Sequence, residues 1–464
     1  MNQMFRVTGI LIFGCAFAVG SSQGKIIDIP TSFGRGADAI VEISGTSPNY
    51  SYPKHGADTT LNFAHSLNRA SYIRFDLAKL GGAKILDARI YSTVATEVAG
   101  NPLQTIYGLN DGLQDGSVVN GWAKYGESWP EDNICWTNAP AASTNNVSFS
   151  VGTEVGQVTK LGMARYASFD SSVTKLVSVD DTYVVASGTN LVNFLNADTD
   201  GLVTFIVVQG PSGSSNRTYW KSKEHADGKP PFLRIVTDDS RLINIPTSLG
   251  VGADTQITEL TATNVNYGAA SYSIVGKVGN IVTMNGKNYL RFDLSNVVRP
   301  ILYAKLNMTV VGGKNNMSVE WMGLNDGSQP GGGYLGEDWS ESAITWMNAP
   351  GGNVISNRVS FGTGTMNGGE MVSLCLRNIN RGTQPDIDFV AMGDTFTAIE
   401  NDKLVDFLNA DTNDRVTLAC RYILDGLSGG QTSIQFSTKE NATYPAPVLT
   451  LVDSRTMATL IVVR

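Results

Sequence analysis

The chain has 464 residues and a formal net charge of −8 at pH 7, and only 16% of its residues are charged. A chain of this length exceeds what one ordinary hydrophobic core organises, so we expect at least two domains. The negative charge disfavours long-range attraction to nucleic acid, and 49 glycines combined with few charges favour short strands and tight turns over helices with charged faces.

The N-terminal segment has the pattern of a secretory signal. Arg6 precedes the apolar stretch Val7–Val19, which is too short to span a bilayer, and small residues follow it. We predict that residues 1–24 are removed and that the mature protein is secreted to the extracellular space or the cell surface. Lipidation at Cys15 is a less favoured alternative because the bulky Phe13 precedes the site. The rest of the chain contains no run of 18 apolar residues, so we predict no membrane span.

An internal duplication organises the remainder of the chain. Several motifs occur twice in the same order, among them IPTS (Ile29, Ile245), RFDL (Arg74, Arg291) and GLNDG (Gly108, Gly323). The spacing between copies, about 215 residues, is far longer than the roughly 20 to 50 residues of a solenoid unit, so each copy is predicted to be a complete domain. We place the copies at residues 25–239 and 240–455, and a C-terminal tail at residues 456–464.

Each copy shows the residue patterns of β-strands. Apolar residues alternate with others between Ser71 and Leu77, and Leu202–Val208 is nearly continuous in apolar character, as in a central strand covered on both faces. One short helix per copy is predicted, at Asn190–Asn196 and Lys403–Asn409. These strands and the clusters of turn residues between them predict an all-β protein of two tandem β-sandwich, jelly-roll-like domains.

Further repeated motifs carry a resemblance to a known family. They are an AD dipeptide at Ala37 and Ala253, SWPEDNICWTNAP and DWSESAITWMNAP at Ser128 and Asp338, and SKE and TKE at Ser222 and Thr438. Together with the RFDL strands, they resemble the DNRLRE domain family, which overlaps a family of alginate-binding carbohydrate-binding modules. The resemblance implies β-sandwiches of secreted bacterial or archaeal proteins, often attached to polysaccharide-degrading enzymes or found at cell surfaces.

Catalytic signatures are missing from the sequence. Its three histidines, His55, His65 and His225, all lie in the first copy, and no GxSxG, HExxH or P-loop pattern is present. We therefore predict a secreted, non-catalytic protein that binds an extracellular polysaccharide. Two alternatives remain open: a structural or adhesive surface protein with the sandwiches as spacers, and, less favoured, an enzyme such as a polysaccharide lyase.

Two segments have the composition of a sugar-binding surface, in which exposed aromatic rings stack on pyranose faces beside polar groups. The predicted ligand-binding residues of GWAKYGESW and its counterpart GGYLGEDW are Trp122, Tyr125, Trp129, Tyr334 and Trp339. Those of NRTYWKSK are Arg217, Tyr219, Trp220, Lys221 and Lys223. The alternative for both segments is that their aromatic rings fold back over the edge of the sandwich. Trp136 and Trp346 are instead predicted to be core residues on a strand face.

No cofactor is predicted, and no residue is assigned as a metal ligand. Four aspartates in the two ADT turns have the residue type of an oxygen-rich calcium site, although Asp–Gly turns are the commoner explanation: Asp198, Asp200, Asp411 and Asp414. Cys375 and Cys420 are the only two mature cysteines that lie in the same copy, which makes them the only candidate disulfide inside a domain. The alternative is that each is a small buried apolar side chain.

Overall fold

The computed structural model describes residues 26–46, 49–51, 53–63, 69–96, 103–116, 118–119, 122–142, 158–165, 177–209, 218–238, 242–258, 265–277, 285–314, 317–351, 353–355, 358–360, 371–379, 390–423 and 432–457. The predicted signal at residues 1–24, Arg217 and most of the predicted tail lie outside the described residues. Within them, no helix is long and apolar enough to cross a bilayer.

The first half of the chain, residues 26–237, is built from sixteen short strands. They are β1 Ile26–Pro30, β2 Ala37–Glu42, β3 Ser44–Thr46, β4 Asn49–Ser51, β5 Lys54–His55, β6 Thr60–Phe63, β7 Arg69–Asp76, β8 Ile85–Thr93, β9 Leu103–Leu109, β10 Val118–Val119, β11 Trp122–Ala123, β12 Val158–Arg165, β13 Thr182–Ser187, β14 Leu202–Gln209, β15 Thr218–Lys221 and β16 Phe232–Thr237. Two antiparallel sheets, in the orders β1-β16-β8-β13 and β12-β9-β14-β7-β2-β5, enclose one apolar core.

The second half, residues 243–457, repeats this arrangement, but eleven of its strands form one continuous curled sheet and two others, residues 353–355 and 358–360, pair separately. Its strands are β17 Ile243–Pro246, β18 Ala253–Thr258, β19 Tyr272–Lys277, β20 Asn285–Asp293, β21 Ile301–Lys314, β22 Met317–Leu324, β23 Asn353–Ile355, β24 Arg358–Ser360, β25 Met371–Ile379, β26 Thr395–Ile399, β27 Arg415–Tyr422, β28 Ser433–Ser437 and β29 Val448–Asp453. The 14-residue β21 pairs first with β29 and β26 and then with β28, so it joins both layers. Its register shifts between Val310 and Gly312, where the strand turns from one layer to the other.

The architecture confirms the predicted all-β sandwich class. Among the described residues, every strand pairing lies within one half, and none joins the two halves. Strand β14 is buried along its whole length, as predicted for a strand covered on both faces. Phe205 points into the core between the sheets, whereas Ile206 packs against residues 129–142, which cover the outer face of the six-stranded sheet.

Two short helices occupy the predicted positions, α1 at Thr189–Asn196 and α2 at Asp402–Ala410. Each helix packs an aromatic ring onto a glycine of the sheet. A Cβ on Gly108 or Gly323 would lie 2.4 Å from the ring of Phe194 or Phe407, respectively. The glycine of the repeated GLNDG motif is therefore required for close approach of the helix to the sheet.

The prediction of a strand around Trp136 and Trp346 is wrong, although both rings are buried as expected. Residues 130–142 form a series of turns, in which the backbone N–H of Ile134 donates to the carbonyl of Pro130 at 2.9 Å. The side chain of Asn138 stabilises these turns, because its Oδ1 accepts from the N–H of Cys135 at 2.7 Å. This local hydrogen bond replaces the strand ladder that the alternating residues suggested.

The candidate disulfide between Cys375 and Cys420 does not form in this structure. Both residues pair with Trp321, one through β25 and the other through β27, so the strand of Trp321 lies between them. Two strand spacings place the Cα atoms roughly 9 to 10 Å apart, which is beyond the reach of a disulfide. The alternative of small apolar side chains fits the buried Cys420, which belongs to the core of the second half.

The two halves meet through β8 and β21. The hydroxyl of Tyr303 donates to the carboxylate of Asp87, and the hydroxyl of Ser187 donates to Glu400 at 2.8 Å. The buried guanidinium of Arg89 lies 3.6 Å from the Glu400 carboxylate. Polar groups thus connect the halves, and a small apolar cluster that includes Tyr303 lies beside them.

Candidate functional site

The expectation that Trp129 is an exposed ring is wrong, because its side chain is fully buried. The indole N–H donates to the hydroxyl of Thr204 at 3.0 Å, and the ring meets Tyr72 edge-on at a centroid distance of 6.1 Å. The guanidinium of Arg74 lies 4.6 Å from the ring centroid and donates to the Trp129 carbonyl at 2.6 Å. These contacts hold residues 129–142 against the outer face of the six-stranded sheet.

The second half repeats this arrangement around Trp339, which is equally buried. Its indole donates to Thr417 at 3.0 Å, its ring meets Tyr289 at 6.1 Å, and the guanidinium of Arg291 lies 4.9 Å from the ring centroid. Because both copies build the same contacts, Trp129 and Trp339 have a structural role in this conformation. Neither presents a ring face to a ligand.

The second predicted segment is only partly at the surface. Trp220 is fully buried, and its indole N–H donates to the hydroxyl of Tyr183 at 2.7 Å, so the expectation of an exposed ring is wrong here too. The side chain of Lys221 is buried, and its ammonium group forms ion pairs with Asp180 and Asp227. The neighbouring Tyr219 points the other way and is half-buried, as the alternation of side chains along β15 requires.

Three aromatic side chains of the first segment and its counterpart remain at least partly accessible. Trp122 is 48% exposed and lies on β11, which pairs with β10 in a small hairpin. Tyr125 and Tyr334 are half-buried. We define the Trp122 loop as residues 111–127. It begins at an aspartate and ends at a glutamate that belong to one of the acidic clusters below.

The repeated motifs converge on two kinds of acidic cluster, each present once in each half. The lysine clusters contain Asp38, Glu131 and Glu224 in the first half and Asp254, Glu341 and Glu440 in the second. The loop-base clusters contain Asp111, Glu127 and Asp200 in the first half and Asp326, Glu337 and Asp411 in the second. In every cluster, one carboxylate oxygen from each residue lies within 4.8 Å of the others.

In the first lysine cluster, the carboxylate of Asp38 is almost completely buried and accepts from the hydroxyl of Thr31 at 2.6 Å and the N–H of Lys223 at 3.1 Å. The side chain of Lys223, one of the predicted site residues, is half-buried and pairs with Glu131. Burial, together with the negative charges of the neighbouring Glu224 and Glu131, raises the pKa of Asp38 to about 7.

The second lysine cluster has the same geometry. Asp254 accepts from the N–H of Lys439 at 3.0 Å, and the ammonium group of Lys439 lies 2.6 Å from Glu341. Burial again raises the pKa of the aspartate, to about 7 for Asp254. These ion pairs and hydrogen bonds hold the AD, W-P-E or W-S-E and KE motifs together, and the buried aspartates are not accessible to a polymer.

The loop-base clusters differ because no lysine lies within them. Glu127 accepts from the N–H of Gly112 at 3.3 Å, and burial, followed by the charge of Asp200, raises the pKa of Glu127 to about 7. In the second half, Glu337 accepts from the N–H of Gly327 at 3.0 Å, and burial likewise raises its pKa. Each cluster borders a surface cavity, of about 380 Å³ in the first half and 330 Å³ in the second.

Glu131, Glu224 and Glu127 are not among the site residues predicted from the sequence. Their signal was present, because each acid lies in a motif that recurs in the second copy. The predicted site rested on the aromatic and basic composition of nearby residues, which these acids do not share. The turn aspartate Asp200, in contrast, was identified as a candidate calcium ligand and lies in a loop-base cluster.

The comparisons with known proteins give one family match. Residues 246–365 match the family model of Carbohydrate-binding module family 96. No curated protein sequence matches the chain.

Two solved structures show the extent of similarity at the level of the whole chain. A xanthan lyase from Paenibacillus is 8% identical with a TM-score of 0.20, and the match covers 89% of this chain but only 26% of the lyase chain. The tandem CBM22-1-CBM22-2 domain from Paenibacillus barcinonensis Xyn10C is 7% identical with a TM-score of 0.19, covering 93% of this chain and 99% of that one. Likenesses at this level carry no argument about function.

Proposed function

We propose that this chain is a secreted, non-catalytic carbohydrate-binding protein in which two copies of one β-sandwich bind an extracellular polysaccharide. The observation that carries the proposal is the match of residues 246–365 to a carbohydrate-binding module family. The GLNDG, W-x-N-A-P and RFDL motifs within this range recur in the first half in the same order, which supports extending the assignment to residues 25–239. The repeats thus correspond to domains at residues 25–239 and 240–455.

The Trp122 loop is the surface that best fits a sugar ring. Trp122 exposes about half of its side chain, and an indole offers a flat apolar face on which a pyranose stacks. Two hydrogen bonds join described residues on either side of Trp122: the N–H of Gly116 donates to the Lys124 carbonyl at 2.9 Å, and that of Gly126 donates to Asp115 at 2.6 Å. In the second half, the half-buried Tyr334 lies in the corresponding loop.

The charges of the described surface favour a neutral glycan. Lys221 and Lys223, which the sequence offered as a cationic strip, are compensated by Asp180, Asp227 and Glu131. The chain also carries a formal net charge of −8, which repels polyanions most strongly at low salt. Tyr219, half-buried beside these pairs, is the remaining aromatic contact proposed in that segment.

Isothermal titration with soluble neutral and acidic polysaccharides tests the proposal, using the full chain and the variant Trp122→Ala. Loss of one stacking ring is expected to weaken binding about tenfold, which corresponds to roughly 1.4 kcal/mol. The matched control is Met392→Ala, which removes a side chain that is 63% exposed elsewhere on the surface. Equal affinities for wild type and Trp122→Ala contradict this binding surface, and absence of binding to every polysaccharide contradicts the function.

A structural or adhesive role is the second candidate, and the contact between the halves favours it. Arg89 is buried against Glu400 of the other half, so the two sandwiches are held together rather than strung on a linker. Two domains in direct contact suit a spacer on a surface. Recovery of the native protein as a free monomer in the medium would count against this role, whereas a cell-bound or polymeric form would support it.

A further inference from the structure

The loop-base cluster of the second half contains buried negative charge that the protein does not fully compensate. The side chain of Asp411 is only 4% exposed; its Oδ2 accepts from Arg299 and from the N–H of Asp414, but its Oδ1 is buried without a hydrogen-bond partner. Asp326 has the same defect, because its Oδ2 accepts from Thr412 at 2.6 Å while its buried Oδ1 has no partner. Leaving buried carboxylate oxygens without partners is costly unless another group binds them.

The first half repeats this constellation with one more carboxylate. Asp198, at the position equivalent to Asp411, also has a buried Oδ1 without a partner, while its Oδ2 accepts from the N–H of Gly201 at 2.8 Å. Asp111 accepts from Thr199 at 2.7 Å, as Asp326 accepts from Thr412. The same defect has therefore been retained in two copies whose intervening sequences differ. That recurrence favours a shared ligand over an accident of one loop.

We propose that each loop-base cluster binds a calcium ion between its carboxylates. The donors are exclusively oxygen atoms, which hard divalent cations prefer, and calcium accepts six to eight such ligands in flexible geometry. One oxygen from each of Asp326, Glu337 and Asp411 lies within 4.8 Å of the others, a spacing that a single ion spans. The bordering cavity gives the ion room for water ligands and an entry path.

The two sites differ in charge, so the sites are expected to differ in affinity. In the first half, Asp200 belongs to the cluster, whereas the equivalent residue in the second half is Asn413, whose amide donates to Glu337 at 2.7 Å. Arg299 further neutralises Asp411 in the second half. Since calcium affinity rises with the number of ligand charges, the first site binds the ion more tightly.

A bound calcium ion is also expected to stabilise the proposed sugar-binding loop, and this effect alone rests on the proposed function. Asp111 and Glu127 are the two ends of the Trp122 loop, so an ion bound by both fixes the base of the loop that carries Trp122. A loop ordered in advance binds its ligand without the entropy cost of ordering. Calcium is thus expected to strengthen carbohydrate binding without contacting the sugar.

Calcium titration of the chelator-treated full chain tests the proposal, with heat of binding and melting temperature as the readouts. We expect two bound ions per chain and a rise in melting temperature with CaCl₂, because a ligand of the native state stabilises it by mass action. Asp111→Asn and Asp326→Asn should each weaken one site about tenfold or more while preserving the hydrogen bonds to Thr199 and Thr412. The matched control is Asp338→Asn, since Asp338 is 71% exposed and lies outside the cluster.

Two results would overturn the calcium proposal. One is the absence of heat and of any melting shift in the wild type up to about 5 mM CaCl₂, a concentration above the dissociation constants of about 0.1 to 1 mM of extracellular calcium-binding modules. The other is wild-type calcium binding by the double variant Asp111→Asn/Asp326→Asn, which would place the ions elsewhere. Because neither measurement involves a sugar, failure to bind a polysaccharide leaves this test independent.

Discussion

Replacement of Trp339 separates a structural role from a role in ligand binding. Trp339 is fully buried, its ring contacts Tyr289 and Arg291, and its indole N–H donates to the buried hydroxyl of Thr417. Truncation of a buried tryptophan to alanine costs about 3 to 5 kcal/mol of the free energy of unfolding. Trp339→Phe keeps most of the ring but leaves the Thr417 hydroxyl without its donor, so we expect a loss of about 1 to 3 kcal/mol.

Chemical unfolding followed by far-UV circular dichroism measures these losses, and a second substitution sharpens the test. Thr417→Val in the Trp339→Phe background removes the orphaned hydroxyl and should recover part of the lost stability. Trp122→Ala serves as the exposed counterpart and should leave the free energy of unfolding within about 0.5 kcal/mol of wild type. A stable Trp339→Ala variant that has lost carbohydrate binding would refute the structural role assigned to this ring.

Three further predictions follow from buried groups. Burial raises the pKa of Asp254 from 3.8 to about 7, so the stability that this group contributes is present below pH 4 and is lost as the pH rises through 7. The loss amounts to at most about 4 kcal/mol of the free energy of unfolding. Asp254→Asn should reduce this pH dependence in unfolding experiments from pH 4 to 8, and an unchanged pH dependence would contradict the raised pKa of Asp254. Glu400→Gln should destabilise the chain by about 3 kcal/mol in denaturant titrations because it removes the carboxylate charge 3.6 Å from the buried Arg89 guanidinium, whereas a neutral effect would mean that the contact between the halves is weak. Cys375 and Cys420 should both react with a thiol reagent after unfolding without reductant, and two missing thiols would reveal a disulfide.

Much of the fold could be predicted from the sequence because the strands follow a simple periodic pattern. The continuous apolar run of β14 indicated a strand covered on both faces, and Leu191 and Leu195, one helical turn apart, are buried on α1 as a short helix requires. The strand predicted around Trp136 failed because the side chain of Asn138 bonds to nearby backbone and stabilises turns. Such a bond between residues three positions apart competes with strand formation without changing the apolar alternation.

The candidate site was less predictable because exposure depends on partners from distant strands. Trp122 and Trp129 lie seven residues apart in a segment of uniform composition, yet one is half exposed and the other is fully buried. Tyr72 and Thr204, which contact Trp129, come from β7 and β14 and are identifiable only after the sheet has formed. The acidic clusters had a clearer signal, since their carboxylates occur in motifs that both copies retain.

The central claim is that the protein binds carbohydrate without cleaving it. Incubation of the full chain with a panel of polysaccharides, followed by affinity electrophoresis and mass spectrometry of released fragments, tests both parts at once. We expect slowed migration in at least one neutral polysaccharide and no fragments from any of them. Unchanged migration in every polysaccharide, or the appearance of oligosaccharide products, would contradict the account.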